Sequence, residues 1–149
     1  MTVLEDFVAD DAGKITILFC DIVDFDEVMS ECQNAIIEIL DEVFRAFDFL
    51  SKQLGLQKIE TVGKTYMACG GLKFVEEELS DEIKKKSPTE RVVELAKEMF
   101  KFVEGFTYKD GKKLILKIGI HRGQCIFGIL GYHKPQFSLI GDTVNTTSR

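Results

Sequence analysis

Apolar and polar positions along the chain fall into blocks of two different periods. Lys14-Ile15-Thr16-Ile17-Leu18-Phe19-Cys20 is an apolar run of β-branched and aromatic residues, the pattern of a central strand buried on both faces, and it ends on a carboxylate, Asp21. Between Asn34 and Leu54 the period lengthens. Ile36, Ile37, Leu40, Val43, Phe44, Phe47 and Leu50 recur at spacings of three and four with charged residues between them, which predicts a long amphipathic helix stopped by Gly55. A period of two returns in Lys58-Ile59-Glu60-Thr61-Val62; Gly63 punctuates it and Thr65-Tyr66-Met67-Ala68-Cys69 resumes it, the pattern of a β-hairpin with Glu60 in a strand and Lys64 at the turn. On local pattern alone both charges read as solvated edge residues.

The segment from Phe74 to Lys86, an acidic EEELSDE followed by three lysines, predicts a solvated surface loop. Ser87-Pro88-Thr89-Glu90 predicts a capped helix start, with Ser87 as N-cap, Pro88 at the first helical position and Glu90 reaching back to the cap amide. Val92, Ala96, Met99, Val103 and Phe106 mark its buried stripe, and Lys109-Asp110-Gly111 a turn after it. Leu114 to His121 predicts a strand, Gly123-Gln124 a turn, Cys125 to Gly131 a second strand, and Phe137 to Gly141 a third short one. From Asp142 a capped helix is expected, with Asn145 and Arg149 on one face four residues apart. The order is β-α-β-β-α-β, an α+β arrangement of ferredoxin-like type with helices on one face of the sheet.

Composition narrows the function. A chain of 149 residues is long enough for one domain with a substantial core, expected over 14–149 after a lead-in at 1–13. A net charge of −6 gives no basic footprint, so nucleic acid is not an expected partner. Cys20, Cys32, Cys69 and Cys125 show no CxxC pair and sit in apolar runs, as buried thiols of a reducing compartment do. No apolar run approaches the roughly 18 residues of a membrane span. A cytoplasmic location is expected, either alone or as the cytosolic domain of a membrane protein. Asp24 reads as the cap of a short helix; Asp21 is left open between metal ligation and a strand-end or capping role. His121 and His133 lack ligand-like spacing.

Four segments in order, ILFCDIVDF, KIETVGKTYMACGGL, LKIGIHRGQCIFGILG and KPQFSLIGDTVNTTSR, resemble the catalytic domain of the class III nucleotidyl cyclases, the adenylyl and guanylyl cyclase family, over about Lys14 to Arg149. The resemblance implies that a ribose 3′ hydroxyl attacks the α-phosphate of the same nucleotide at a site shared by two domains packed head to tail. It also implies two divalent metals, Mg²⁺ or Mn²⁺. Asp21 matches the first metal aspartate and Ile22 the position whose backbone carbonyl also ligates, but Lys64 stands where the second aspartate belongs, so the metals are expected from a complementary cyclase domain. Lys64 is expected to fill the vacant position by pairing with Asp21.

The other half of the site is better matched. Asn145 falls on the ribose-orienting asparagine and Arg149 on the arginine that stabilises the α-phosphate in the transition state. Glu60 and Ser138 fall on the two purine-reading positions. Guanine presents two donors, N1–H and the N2 amino group, so a carboxylate at Glu60 implies GTP, and Ser138 can donate to guanine O6. A lysine that the family uses for the terminal phosphates would lie beyond Arg149, so the domain is expected to be C-terminally truncated. The reading is a C2-like guanylate cyclase half making cyclic GMP and pyrophosphate. A cyclase-like regulatory or dimerisation domain without turnover, and an adenylate cyclase half, are the alternatives.

Overall fold

The computed structural model describes residues 10–59, 64–130 and 136–140, with side chains over 15–59 and 64–123. Its strands are β1 (Asp10–Ile22), β2 (Gln57–Ile59), β3 (Thr65–Gly70), β4 (Thr107–Lys109), β5 (Lys112–Lys113), β6 (Leu116–Leu130) and β7 (Gln136–Ile140). Its helices are α1 (Phe25–Cys32), α2 (Ile36–Gln53), α3 (Lys73–Glu76), α4 (Asp81–Lys84) and α5 (Pro88–Glu104). Five strands form one sheet in the order β2-β3-β1-β6-β7, every neighbouring pair antiparallel, while β4 and β5 make a separate hairpin. With β1 central and β3 and β6 beside it, the order is that of the ferredoxin-like α+β fold, extended by β7.

Alternation along β1 divides the interior in two. Leu18, Cys20 and Ile22 face α1, α2 and α5 in the larger core, with Tyr66 and Ala68 of β3, and the apolar stripes of α2 and α5 close it. Ile15 and Ile17 face the other way, into a smaller cluster with Ile59, Met67, Cys69 and Leu72. The sheet is strongly curled: its two edge strands, β2 and β7, come within 8 Å of one another, Cα to Cα.

Several expectations are corrected. β1 runs back at least to Asp10 rather than starting at Lys14, because β6 is long enough to pair with it to that point across an irregularity between Asp11 and Gly13. Gly123 makes no turn: it pairs with Ile15, and the two predicted strands are one continuous strand, β6. The helix predicted from Asn34 is a single 3₁₀ turn at Gln33–Ala35 followed by α2. The predicted loop at 74–86 carries the one-turn helices α3 and α4, the latter capped by Ser80, whose hydroxyl accepts from the Ile83 amide. The α5 start is as the sequence predicts. Ser87 Oγ accepts from the Glu90 amide at 3.2 Å and Glu90 Oε1 from the Ser87 amide at 3.4 Å, with Pro88 at the first position. Among the described residues, no helix is long and apolar enough to cross a membrane.

One buried charge ties the helical layer together. Arg91, 1% exposed, donates from Nε to the Lys86 carbonyl at 3.1 Å, and from one terminal nitrogen to the carbonyls of Leu54 and Gly55 at 3.1 and 3.0 Å. Its other terminal nitrogen pairs with Glu76 Oε1 of α3. The guanidinium thereby satisfies backbone acceptors just past the end of α2. Gly55 has φ +69°, and a Cβ there would stand 2.9 Å from Arg91. That closeness and the left-handed backbone both require glycine.

Replacing Arg91 by Met would leave three carbonyls and a carboxylate without their donor. Arg91→Met is expected to lower the unfolding free energy by about 3–5 kcal/mol in urea titrations. Gly55→Ala, which combines strain with the loss of that close fit, is expected to cost more than about 1 kcal/mol by the same measurement. A change below about 0.5 kcal/mol in either variant would contradict this account of the clasp.

Candidate functional site

The site is built at the C-terminal end of the central strand. Register places Asp21 opposite Thr65 of β3 and Lys117 of β6, on the sheet face turned away from the helices. Thr65 Oγ1 donates to Asp21 Oδ1 at 2.6 Å, and Lys117 is exposed. The next residue, Ile22, points into the larger core at 2% exposure and so fixes the backbone that carries its carbonyl.

The chain then turns sharply. The Val23 amide donates to the Ile115 carbonyl at 2.8 Å, and Asp24, with φ 52°, is left-handed, its carbonyl accepting from the amides of Glu27 and Val28. Asp24 therefore occupies the N-cap position of α1, but its side chain makes no capping bond. A capping side chain works from an extended backbone, which Asp24 lacks. The far end of α1 is clamped by the β4–β5 hairpin. Lys112 Nζ donates to Glu31 Oε1 at 2.6 Å, Tyr108 Oη to Oε2 at 3.5 Å, and Lys109 Nζ to the Glu31 carbonyl at 3.0 Å. The hydrogen bond from Lys112, above all, holds the Glu31 carboxyl below its ordinary range.

Lys64 is exposed in the turn that leads into β3. The expected ion pair between Lys64 and Asp21 is not formed. The residue in register with Asp21 is Thr65, which donates to its carboxylate, while Lys64 stands one position earlier in the turn. Among the described residues no three His, Cys, Asp or Glu side chains gather to hold a metal. One carboxylate already bonded to a hydroxyl, beside an ammonium at the next position, does not fit a pair of divalent cations, which take several oxygen ligands each.

The hairpin of β2 and β3 is fixed to α2 by a polar cluster. Tyr66, 1% exposed, donates from its hydroxyl to Asp48 Oδ1 at 2.9 Å, so Ser51 Oγ, 3.1 Å away, is the donor to the Tyr66 oxygen. Lys58 Nζ stands 3.3 Å from both oxygens of Asp48 and 5.8 Å from the centroid of the Tyr66 ring. Glu60, Asn145 and Arg149 lie outside the described residues, as does the side chain of Ser138; the Ser138 backbone, on β7, pairs with Gly128 of β6. The sheet's curl brings β7 back to β2, whose last residue precedes Glu60.

Sequence reasoning missed Thr65, Lys117, Asp48 and Arg91 as structural partners. A single signal was present for one group: Ser51 continues the buried stripe of Val43 and Phe47, and a polar residue there calls for a buried partner. Cross-strand partners depend on register, which local pattern does not number.

An antiparallel sheet of this order, with a carboxylate ending its central strand and a short hairpin beside it, is the framework of a class III nucleotidyl cyclase catalytic domain. The chain belongs to that family: the model of the adenylate and guanylate cyclase catalytic domain matches residues 7–149. It is 34% identical over 157 residues to guanylate cyclase beta of Plasmodium falciparum (isolate 3D7), covering 94% of this chain and 5% of the relative. To a membrane guanylyl cyclase of Dictyostelium discoideum it is 32% identical over 145 residues, covering 97% and 9%. The chain thus spans a small fraction of these relatives' length. Among solved structures it resembles the guanylate cyclase domain of RhGC from Catenaria anguillulae in complex with GTP, with a TM-score of 0.78, 27% identity, and 95% and 73% of the two chains covered. The dimeric guanylyl cyclase domain of the RhoGC fusion protein from Blastocladiella emersonii gives a TM-score of 0.79 at 26% identity, covering 95% and 74%.

Burial, and then the Asp21 carboxylate beside it, push the Cys20 thiol up from 9.0 to about 12. Burial above all, with Asp48 adding to it, also pushes the Tyr66 hydroxyl above its ordinary 10.0. Both groups hold their protons more tightly folded than unfolded. The stability they contribute is therefore complete below the unfolded values and is lost as pH rises toward the folded ones. Urea titrations are expected to show stability falling above about pH 9 by up to about 1.4 kcal/mol per pH unit, and more steeply above about pH 10 as the Tyr66 contribution joins. Cys20→Ala should remove the first slope and leave the second. A flat profile between pH 9 and 11 would contradict this reading.

Proposed function

We propose that the chain is the C2-like half of a guanylate cyclase. It supplies purine-binding and transition-state groups to a site, completed by a complementary cyclase domain, that converts GTP to cyclic GMP and pyrophosphate. The observation that carries the partial-site reading is the state of the metal position: Asp21 bonded to Thr65, with Lys64 exposed beside it. The guanylate cyclase names of the relatives, and the GTP bound to the Catenaria domain, support the choice of reaction and purine.

In this reading the Glu60 carboxylate accepts from guanine N1–H and the N2 amino group, and Ser138 donates to O6. Asn145 holds the ribose so that its 3′ oxygen faces the α-phosphorus, a matter of orientation rather than of chemistry. The new bond joins the 3′ oxygen to the α-phosphorus, the bond from that phosphorus to the bridging oxygen breaks, and pyrophosphate leaves as the hydroxyl proton is lost. Arg149 bears the charge that develops on the α-phosphate oxygens. Divalent metal, Mg²⁺ or Mn²⁺, supplies Lewis-acid stabilisation of the phosphates in the assembled pair and belongs to the partner domain. That partner packs head to tail with this chain, as in two-domain cyclases. The Dictyostelium relative's name, and the small share of each relative that the chain spans, support a place beside a membrane domain in a longer protein.

The same metal position favours a second reading, a cyclase-like regulatory or dimerisation domain with no turnover. Cyclic nucleotide formation from GTP and from ATP with Mn²⁺ separates the two when the chain is compared with its Lys64→Asp variant, which places a carboxylate in both metal positions of a homodimer. The expected result is no product from the parent, and cyclic GMP from the variant at least roughly tenfold above its cyclic AMP. Cyclic AMP as the main product would overturn the Glu60 reading, and no product from the variant would favour the regulatory domain.

A further inference from the structure

The two positions assigned to purine reading sit on or beside the two edge strands, β7 carrying Ser138 and β2 leading into Glu60, so the gap between them depends on where β2 lies. The ladder alone defines that poorly. Over its described residues β2 has a paired neighbour on one side only, with Gln57, Lys58 and Ile59 opposite Cys69, Ala68 and Met67 of β3. An edge strand has a ladder on one side only to resist sideways movement. Besides that ladder and the burial of Ile59, it has a further hold.

That hold comes from α2. Asp48 follows Phe47, which is fully buried and packs edge-on against Tyr66 with ring centroids 5.5 Å apart, so the helix here is a rigid platform. Its carboxylate takes the Tyr66 hydroxyl proton at 2.9 Å, and Ser51, 2% exposed, closes the set from the next turn of the helix. Lys58 then reaches both oxygens of this carboxylate from the middle of β2. With side chains 34% and 42% exposed, the Lys58–Asp48 pair would be weak in isolation. Its worth lies in direction. The carboxylate cannot rotate away without abandoning a buried tyrosine hydroxyl, so the ammonium, and the strand bearing it, are drawn to a fixed point.

We propose that Asp48 is a positioning residue for purine recognition, setting through Lys58 the placement of β2 and of the chain that leads into Glu60. The proposal rests on the guanylate cyclase reading. Asp48 touches neither substrate nor reacting atoms; it governs which purine edge the pocket accepts. Asp48→Asn keeps an acceptor for Tyr66 but removes the charge that draws Lys58, and Lys58→Met removes the other partner.

The test is made in the full chain carrying Lys64→Asp, by measuring kcat/KM for GTP and for ATP alongside the thermal midpoint and amide hydrogen exchange at Lys58 and Ile59. With Asp48→Asn the preference for GTP over ATP is expected to fall roughly tenfold, short of the ~100-fold that a 1 Å misplacement of a reacting group can cost. The loss should appear in KM more than in kcat, with faster exchange at Ile59. Lys58→Met should give the same loss and the double variant no more, since the two act as one unit. An unchanged preference in an active Asp48→Asn protein would overturn the proposal and leave the proposed function standing. Equal falls in kcat for both purines, with a lowered midpoint, would also overturn it, as the mark of a merely structural role. If the Lys64→Asp chain makes no cyclic nucleotide, the proposed reaction fails, and the same ratio is read from GTP and ATP dissociation constants by calorimetry. A ratio unaffected by Asp48→Asn, or no binding of either nucleotide, then overturns the positioning role as well.

Discussion

The pairing of β1 with β3 on one side and β6 on the other decides which way every side chain of the central strand points. Side chains alternate with a period of two, so a slip of one residue would carry Asp21 into the helical core and bring Cys20 out to the site. The slip is resisted on both faces at once. Leu18 and Ile22 fill the core under the helices, Ile15 and Ile17 fill the smaller cluster opposite, and Thr16 bonds Thr89 of α5 at 2.7 Å. A strand buried on two faces has no register that hides its apolar residues half as well, and the position of the site carboxylate follows from that packing.

Two polar devices then hold the helices and the hairpin to this frame. Arg91 gathers the end of α2, the approach to α5, and α3, while the Asp48 cluster joins α2 to the β2–β3 hairpin. Both begin on α2 or just beyond its end, and both satisfy groups that a purely apolar interior would leave without partners. The helix is therefore more than a cover for the sheet; it is the element against which the hairpin is located.

Much of the fold was legible because period and punctuation agree with the final packing. The apolar run ending at Asp21, the described part of the hairpin, the α5 capping box and the stop at Gly55 all act locally, and each lies where the pattern puts it, although β1 runs on beyond that apolar run. Where tertiary pairing overrode a local signal, the sequence misled. Gly123 looks like a turn, yet it lies inside a ladder because β1 continues opposite it. Asp24 has the right residue type for a cap but the wrong backbone. Of the site, the lone carboxylate and the unusual lysine could be named from motifs alone. That Thr65 rather than Lys64 meets Asp21 depends on a register that spans 44 residues of chain, and no local pattern encodes it.

The exposed ammonium of Lys64 has a consequence for how such a domain signals. On the proposed reading, two copies of this chain facing each other would present lysine in both metal positions, and crowding identical copies together would give no output. Product would then report the meeting of two unlike domains, and the site would act as a coincidence detector whose threshold is set by the supply of the other half. A single residue would turn concentration of the chain from a trigger into a neutral quantity, and would leave control to whatever brings the partner within reach.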